Sequence, residues 1–408
     1  MHEVERWGFE SWQIDVIITL FFLLACAWVY SLLAIVAAIR YAAVRPPTGM
    51  SPQPISILKP LAGSEPFLES NLRTFFEQDY PSFELLFAVQ DSDDSAIPIV
   101  EKLKSQYPQV PARLLVTGKP SYSNAKVYSL EQMLCAANSD LVVMSDSDTR
   151  VGPDLLYTVG AEFQDPALAL ETCPYRAIPG RSLWSRMEAA GLNTDFMAGI
   201  LVARMMEGMR FAVGPTIVAR RSVLQSIGGF PRLKDYLAED FLMGKFTAGA
   251  GHGVALSSYV IEHHIGDTDF SHNAAHRLRW VRSTRRSRPL GYFGQLFTMP
   301  LPLALLICAI HPSWWMVLPS TIAIRSLVAY VVSNRVLKAK VPWLLLPFED
   351  ITEFCFWLAG FFGSTIIWRG RRYRLHRDGR FELLAPIGSV QEFPQSSGIA
   401  ERSPQGNT

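Results

Sequence analysis

The sequence predicts an α/β protein, a doubly wound sheet carried between apolar helices at both ends of the chain. Three observations predict it. Long apolar runs occupy residues 14–40 and about 292–333. Between them, short strand-like runs alternate with helix-like ones from Ile55 onward, the signature of a sheet with right-handed crossovers. Two of those strands end in acidic residues, where ligands bind in open α/β sheets.

The first apolar run, Ile14 to Arg40, is about 40 Å long as a helix. It lacks a basic leader and a small-residue cleavage site, so it reads as an anchor that stays in the membrane. Glu3, Glu5, Glu10 and Asp15 precede it, while Arg40 and Arg45 follow. The positive-inside rule therefore puts residue 41 onward in the cytoplasm. The segmentation is an anchor over 1–45, a cytoplasmic catalytic-type domain over 46–290, a membrane region over 291–375 and a polar, disordered tail over 376–408.

After a Pro/Gly linker, strands are expected at 55–61, 83–91, 112–117 and 141–145, with helices at 65–78, 96–106 and 124–137. Leu183–Arg210 reads as one amphipathic, Met- and Trp-rich helix, facing either the core or the membrane interface. Apolar segments at 292–311 and 314–333 form a hairpin around His311-Pro312-Ser313. The last apolar region, 341–368, has basic residues on both flanks. Pro347, followed by Glu349, Asp350 and Glu353, suggests a re-entrant or interfacial pair of half-helices.

Composition narrows the function. Of 408 residues only 18% are charged, and the net charge is +1, so nothing pulls the chain globally toward nucleic acid. The 5 cysteines have no metal or disulfide spacing.

The central stretch is Leu141-Val142-Val143-Met144-Ser145-Asp146-Ser147-Asp148: a buried strand running into two carboxylates at i and i+2. Such a pair suits Mg²⁺ or Mn²⁺ carrying a diphosphate. A calcium loop is excluded, because Val151 and Tyr157 stand where that loop needs Gly and Glu. Asp91 ends the second strand in Val89-Gln90-Asp91-Ser92-Asp93-Asp94. Ala238-Glu239-Asp240 opens a further helix, and of these two adjacent acids one is expected to face the site. His263 and His264 point to opposite faces of a strand, so at most one is a metal ligand. The Arg-rich stretch His276–Arg288 suits anionic headgroups or a diphosphate, or simply orients the membrane segment.

Asp91, the Asp146/Asp148 pair, Ala238-Glu239-Asp240 and Arg279-Trp280 before a membrane hairpin form one ordered set. With Leu58-Lys59-Pro60-Leu61, Asn124-Ala125-Lys126, Trp184-Ser185-Arg186 and Trp368-Arg369-Gly370-Arg371, the chain resembles the membrane-bound inverting glycosyltransferases of family 21. Ceramide glucosyltransferases belong there, and the likeness to the hopanoid-associated bacterial branch is greater. It covers residues 15–380. His276 occupies the first position of the last motif, where ceramide enzymes have Gln or Arg; this tilts the reading toward a hopanoid acceptor.

The resemblance implies a GT-A-like, nucleotide-sugar-binding domain with N- and C-terminal transmembrane helices in a bacterial inner membrane, its catalytic face cytoplasmic. It implies that Asp91 binds the nucleobase or ribose of a UDP-sugar, with Lys126 near the nucleotide. Asp146 and Asp148 hold Mg²⁺ or Mn²⁺ on the diphosphate. Asp240 is the general base toward a lipid hydroxyl. Arg279 stabilises the leaving diphosphate, and Trp280 is an apolar wall or stacking partner beside it. Two other readings compete. A processive polysaccharide synthase shares these motifs but usually carries more membrane helices. A transporter or receptor with a cytoplasmic α/β domain places its polar residues at the bilayer midplane.

Overall fold

The computed structural model describes residues 2–47, 51–368 and 370–384, with side chains from residue 15. Residues 385–408 of the tail expected to be disordered over 376–408, and Arg369 of the late Trp-Arg-Gly-Arg motif, lie outside the described residues.

The strands are β1 Ile55–Pro60, β2 Phe83–Val89, β3 Ala112–Val116, β4 Leu141–Ser145, β5 Thr149–Arg150, β6 Leu168–Thr172, β7 Tyr175–Pro179, β8 Thr216–Arg220, β9 Gly253–Leu256, β10 Ile261–Gly266, β11 Thr365–Trp368, β12 Arg371–Leu375 and β13 Phe381–Leu383. The helices are α1 His2–Ala42, α2 Leu68–Phe76, α3 Ile97–Gln106, α4 Ala125–Ala136, α5 Leu155–Glu162, α6 Leu183–Gly191, α7 Met197–Glu207, α8 Arg221–Ser226, α9 Glu239–Gly249, α10 Phe270–Ser287, α11 Pro289–Gly294, α12 Pro300–Ile310, α13 Val317–Ala329 and α14 Leu346–Gly360.

A seven-stranded sheet has the order β3-β2-β1-β4-β8-β6-β9. Strands β1 to β4 run parallel, as the strand–helix alternation requires, so their carboxyl ends share one edge. β8 runs antiparallel to both β4 and β6, which makes the sheet mixed.

Alternate side chains feed two cores. Ile55, Ile57, Phe87 and Val143 pack with Leu72, Phe75 and Val100 of α2 and α3. Leu58, Leu86, Val142 and Met144 pack on the other face with Val127, Leu130 and Met133 of α4. Each such fully buried side chain contributes about 1.5–3 kcal/mol.

A small second sheet, β5-β10-β7, stands beside the acidic end of β4. Gly228 and Gly229, at φ 102° and 63°, turn the chain after α8 through backbone that a side chain would strain.

Among the described residues two helices are long and apolar enough to cross a membrane, Asp15–Ala42 and Val317–Val336. The segment expected as the first arm of the hairpin is bent instead: Pro289–Thr298 and Pro300–Ile310 meet at 58°. Pro300 and Pro302, lacking N–H donors, account for a break there.

The region 341–368 departs from expectation. It forms the single 15-residue helix α14 and then enters β11; it is not a pair of half-helices. Pro347 sits at the helix start, where its missing N–H costs nothing, so it makes no break. The chain stays ordered past residue 376 as well, because Phe381 of β13 packs on Tyr373, Ile366 and Leu237.

Leu183–Arg210 is two helices, α6 and α7, joined by a π-helical turn at Leu192–Phe196. Met197, Ala198, Ile200 and Leu201 pack against Ala34, Ala37, Ala38 and Tyr41 of α1 and Val328–Val336 of the second span. This segment is the joint between the sheet and the apolar helices. The Tyr41 hydroxyl also donates to the Ser257 carbonyl, tying α1 to the sheet.

Candidate active site

The loop after β4 is clamped from below. Lys59, fully buried, donates to the Asp146 carbonyl, to Thr149 Oγ1 (3.0 Å) and to Ser145 Oγ (3.3 Å), and sits 3.8 Å over the Phe75 ring. Burial lowers its pKa from 10.5 to about 7, against the pull of Asp146 and Asp148. Thr149 Oγ1 donates to the Asp146 carbonyl (2.7 Å), and Ser147 Oγ donates to Glu65 (2.6 Å). The two acids thus project from a fixed backbone.

They meet different partners. Asp146 Oδ1 lies 2.7 Å from Lys126 Nζ, and Asp148 Oδ2 lies 3.0 Å from His263 Nε2. Lys126 opens α4, whose cap is Asn124: its side chain accepts from Val127 N–H and donates to Glu239 (3.2 Å). Lys126 also reaches Glu239 at 3.2 Å. Burial opposes its charge, but Asp146 and Glu239 outweigh that and raise its pKa.

Glu239 and Asp240 both line this pocket, with Lys126, Asp146 and Gly214, so the expectation that only one would face it fails. They sit at the first turn of α9, where consecutive side chains fan out by 100° and still reach one concave surface. Their roles are nonetheless distinct. Glu239 is buried against Lys126 and Asn124, whereas Asp240 is partly exposed. Gly214 N–H donates to Asp240 Oδ2 and Phe241 N–H to Oδ1, both at 2.7 Å.

His263 was one of two histidines the sequence offered, and pairing with β5 decides between them. β10 aligns His263 with Thr149, so its ring faces Asp148, while His264 bonds Glu262 at 3.1 Å. Burial pushes the His263 pKa down; the Asp148 charge and hydrogen bond push it up further, leaving it raised. Asp148 is lowered in turn, because His263, Lys59 and Lys126 outweigh its burial.

Among the described residues no three His, Cys, Asp or Glu side chains form a metal cluster. Asp148 Oδ1 is nonetheless buried without a partner, and a carboxylate oxygen of this kind at a strand end fits a divalent ion completed by substrate oxygens. The fit is to Asp148, which His263 orients, with Asp146 held by Lys126.

Asp91 is exposed just past β2, two strands from β4, which puts it roughly 10 Å along the same edge. Asp94, from the same acidic run, is structural: it accepts from Gly63 and Ala96 N–H.

Arg279 and Trp280 lie in α10, both partly exposed. Trp280 begins a line of aromatic contacts that ends at Asp148's partner. Its ring centroid is 5.7 Å from Phe196; Phe196 is 5.5 Å from Tyr175, and Tyr175 is 5.5 Å from His263. On its other side Trp280 meets His276 at 5.3 Å, and His276 Nδ1 is 2.7 Å from buried Glu188. Burial raises Glu188, but the His276 hydrogen bond and charge bring it below its ordinary value. Lys59, Tyr175 and Glu188 were not singled out as site residues from the sequence. Lys59's position inside an apolar strand was the available signal.

The fold can be compared with solved structures. A mannosyltransferase from Pyrobaculum calidifontis, solved with GDP-mannose and Mn²⁺, superposes with a TM-score of 0.52 at 16% identity, over 85% of this chain and 99% of that one. The GT-A-like arrangement expected from the sequence is therefore the one adopted.

In sequence, ceramide glucosyltransferase 1 of Caenorhabditis elegans is 28% identical over 207 residues, and ceramide glucosyltransferase 3 of the same animal is 27% identical over 229. The matches cover 50% and 56% of this chain, and 44% and 50% of the relatives. The chain thus spans about half the length of the curated relatives it matches. The model of glycosyl transferase family 21 matches residues 19–381, and the chain belongs to that family.

Proposed function

We propose that the protein moves a hexose or N-acetylhexosamine from a UDP-sugar to a hydroxyl of a membrane lipid, ceramide-like or hopanoid, with inversion at the anomeric carbon. The observation that carries this is the joint: the acid- and lysine-lined pocket opens from a sheet that α7 joins to α1 and the second apolar span.

Asp91 binds the nucleoside end of the donor at the β2 edge. Lys126 meets the diphosphate. Asp146, Asp148, Glu239 and Asp240 outnumber the lysine among them, so an anionic diphosphate enters only with added positive charge. Asp148, oriented by His263 and beside Asp146, would hold Mg²⁺ or Mn²⁺, which would supply that charge as a Lewis acid.

Asp240, on a carboxylate oriented by two N–H groups, takes the proton of the acceptor hydroxyl. The acceptor oxygen bonds to the anomeric carbon as the bond to the β-phosphate breaks, and the electron pair leaves with UDP. Arg279 stabilises that leaving charge, and Trp280 excludes water beside it. The catalytic face is cytoplasmic, a reading that the Arg and Lys flanks of the apolar runs support, and the membrane is a bacterial inner membrane.

A UDP-release assay on purified protein tests this. Release that depends on added lipid supports it; polymer formed without lipid indicates a processive synthase, and no turnover indicates neither.

A further inference from the structure

The joint between the apolar helices and the sheet holds a charged cluster. Arg325, in the middle of the Val317–Val336 span, is 5% exposed. Its Nε and Nη2 donate to Asp350 at 2.8–3.1 Å, and Nη2 also reaches Thr194 (3.1 Å) and Asp195 in the π-helical turn. Nearby, Arg277 of α10 forks onto Glu349 of α14 at 2.7 and 3.0 Å. Glu353, one turn beyond Glu349, acts electrostatically with Asp195, Glu349, Asp350 and, favourably, Arg277, yet no hydrogen bond or ion pair to another described residue holds it. Gly191 makes the close approach of α6 to α14 possible: a Cβ there would stand 2.6 Å from Glu349 Oε1.

Two features are left over from the cluster's own pairing. The four carboxylates Asp195, Glu349, Asp350 and Glu353 meet two cations, Arg277 and Arg325, and Asp195 also accepts from Thr194 Oγ1 (3.1 Å), so acceptors remain in surplus. At the same time Arg325 Nη1 is buried with no partner. A buried ion pair serving only as a staple satisfies its own donors, since an orphan N–H costs about 1–3 kcal/mol. Surplus acceptors beside one orphan donor complement a ligand that has both hydroxyl or N–H donors and an oxygen acceptor. π-helical turns such as Leu192–Phe196 recur at binding sites for this reason: they displace a helix from its regular bonding.

Its place fits a lipid. The Tyr30 hydroxyl of α1 lies against Gly199 and within electrostatic reach of Asp195, Glu353 and Arg325, so the cluster borders the bilayer-facing helices. From it, Phe196 leads to Trp280 and to Tyr175. Tyr175 in turn lies 3.6 Å from where a Cβ of Gly214 would stand, and Gly214 holds Asp240.

We infer that the Arg325–Asp195–Glu353 cluster is the docking site for the polar headgroup of the acceptor lipid, a polyol or amide-polyol. The headgroup is held there while its reacting hydroxyl extends along the ring wall to Asp240. This rests on the lipid-transfer reading above.

The test uses the full chain in nanodiscs with UDP-glucose, in one arm with a short-chain ceramide and in another with a polyhydroxylated hopanoid. Because no hydrogen bond or ion pair to a described residue holds Glu353, Glu353→Ala keeps the fold. It is expected to raise the apparent KM for the accepting lipid at least tenfold, with the KM for UDP-glucose and the unfolding temperature unchanged. Glu353→Gln, which keeps hydrogen-bonding heads, recovers most of the affinity. Turnover of ceramide alone assigns an amide-polyol, and turnover of hopanoid alone a polyol. An unchanged lipid KM in Glu353→Ala overturns the inference while leaving lipid transfer standing. A wild-type protein that glycosylates neither lipid, with UDP-glucose or with UDP-N-acetylglucosamine, refutes both.

Discussion

Asp240→Asn separates a proton-transfer role from a structural one, and its expected cost can be worked from the hydrogen bonds. Asp240 accepts one N–H on each oxygen, from Gly214 and from Phe241. Asparagine keeps one acceptor oxygen and turns an NH₂ toward the other N–H, which loses its partner. That costs about 1–3 kcal/mol if the N–H is fully buried; the site is partly exposed, so about 1 kcal/mol is expected in thermal unfolding. The catalytic loss is larger. Removing a general base lowers kcat by about 10²- to 10⁴-fold, or about 3–5 kcal/mol of barrier. Donor affinity should stay within about threefold, since Lys126 and Glu239 keep their own pairing. Initial rates with lipid acceptor, together with UDP-sugar titration by calorimetry, give both quantities. A variant with near-normal kcat, or one whose only defect is lost donor binding, refutes the base assignment.

Three further outcomes follow from the same geometry. Lys126→Met removes the cation from Asp146 and Glu239 and should weaken UDP-sugar binding by about 10- to 100-fold, partly restored in Lys126→Arg; unchanged calorimetric affinity would take Lys126 out of the donor site. Asp148→Asn and His263→Ala should each raise the Mn²⁺ concentration needed for UDP binding at least tenfold, and EDTA should abolish turnover; full activity of either variant in EDTA counts against the metal site. Glu171, buried beside Glu162, has its carboxyl pushed well above its ordinary 4.5 by burial and then by that neighbour. The folded state therefore keeps a proton that the unfolded chain releases near pH 4.5, so stability is complete below that pH and falls as pH rises toward the folded value. Glu171→Gln should raise the unfolding temperature at pH 8 and change it little near pH 4; an equal shift at both would show that the proton is not the cause.

The parallel half of the sheet was legible because each strand is an unbroken apolar run ending in turn residues, and strand direction follows from the helices between them. The reversal at β8 was not, since nothing local to Thr216–Arg220 encodes which neighbour it pairs with. Asp146 and Asp148 were legible as a strand-end pair. Their separation onto Lys126 and His263 depends on α4 and on the register of β10, which are tertiary facts. Pro347 misled for a definite reason: proline breaks a helix interior but suits a helix start, and only the helix boundary tells the two apart. Arg325 was invisible as a site residue, because its partners Asp195 and Asp350 lie in elements far apart in the chain.

The central claim is transfer of a single sugar from a nucleotide donor to a lipid. Mass spectrometry of lipid products, from purified protein offered UDP-glucose and UDP-N-acetylglucosamine together with ceramide and hopanoid, tests it most directly. The account predicts one lipid carrying one sugar from one donor, absent in Asp240→Asn. A ladder of sugar polymer formed without lipid, or UDP released with every lipid left unmodified, would contradict it.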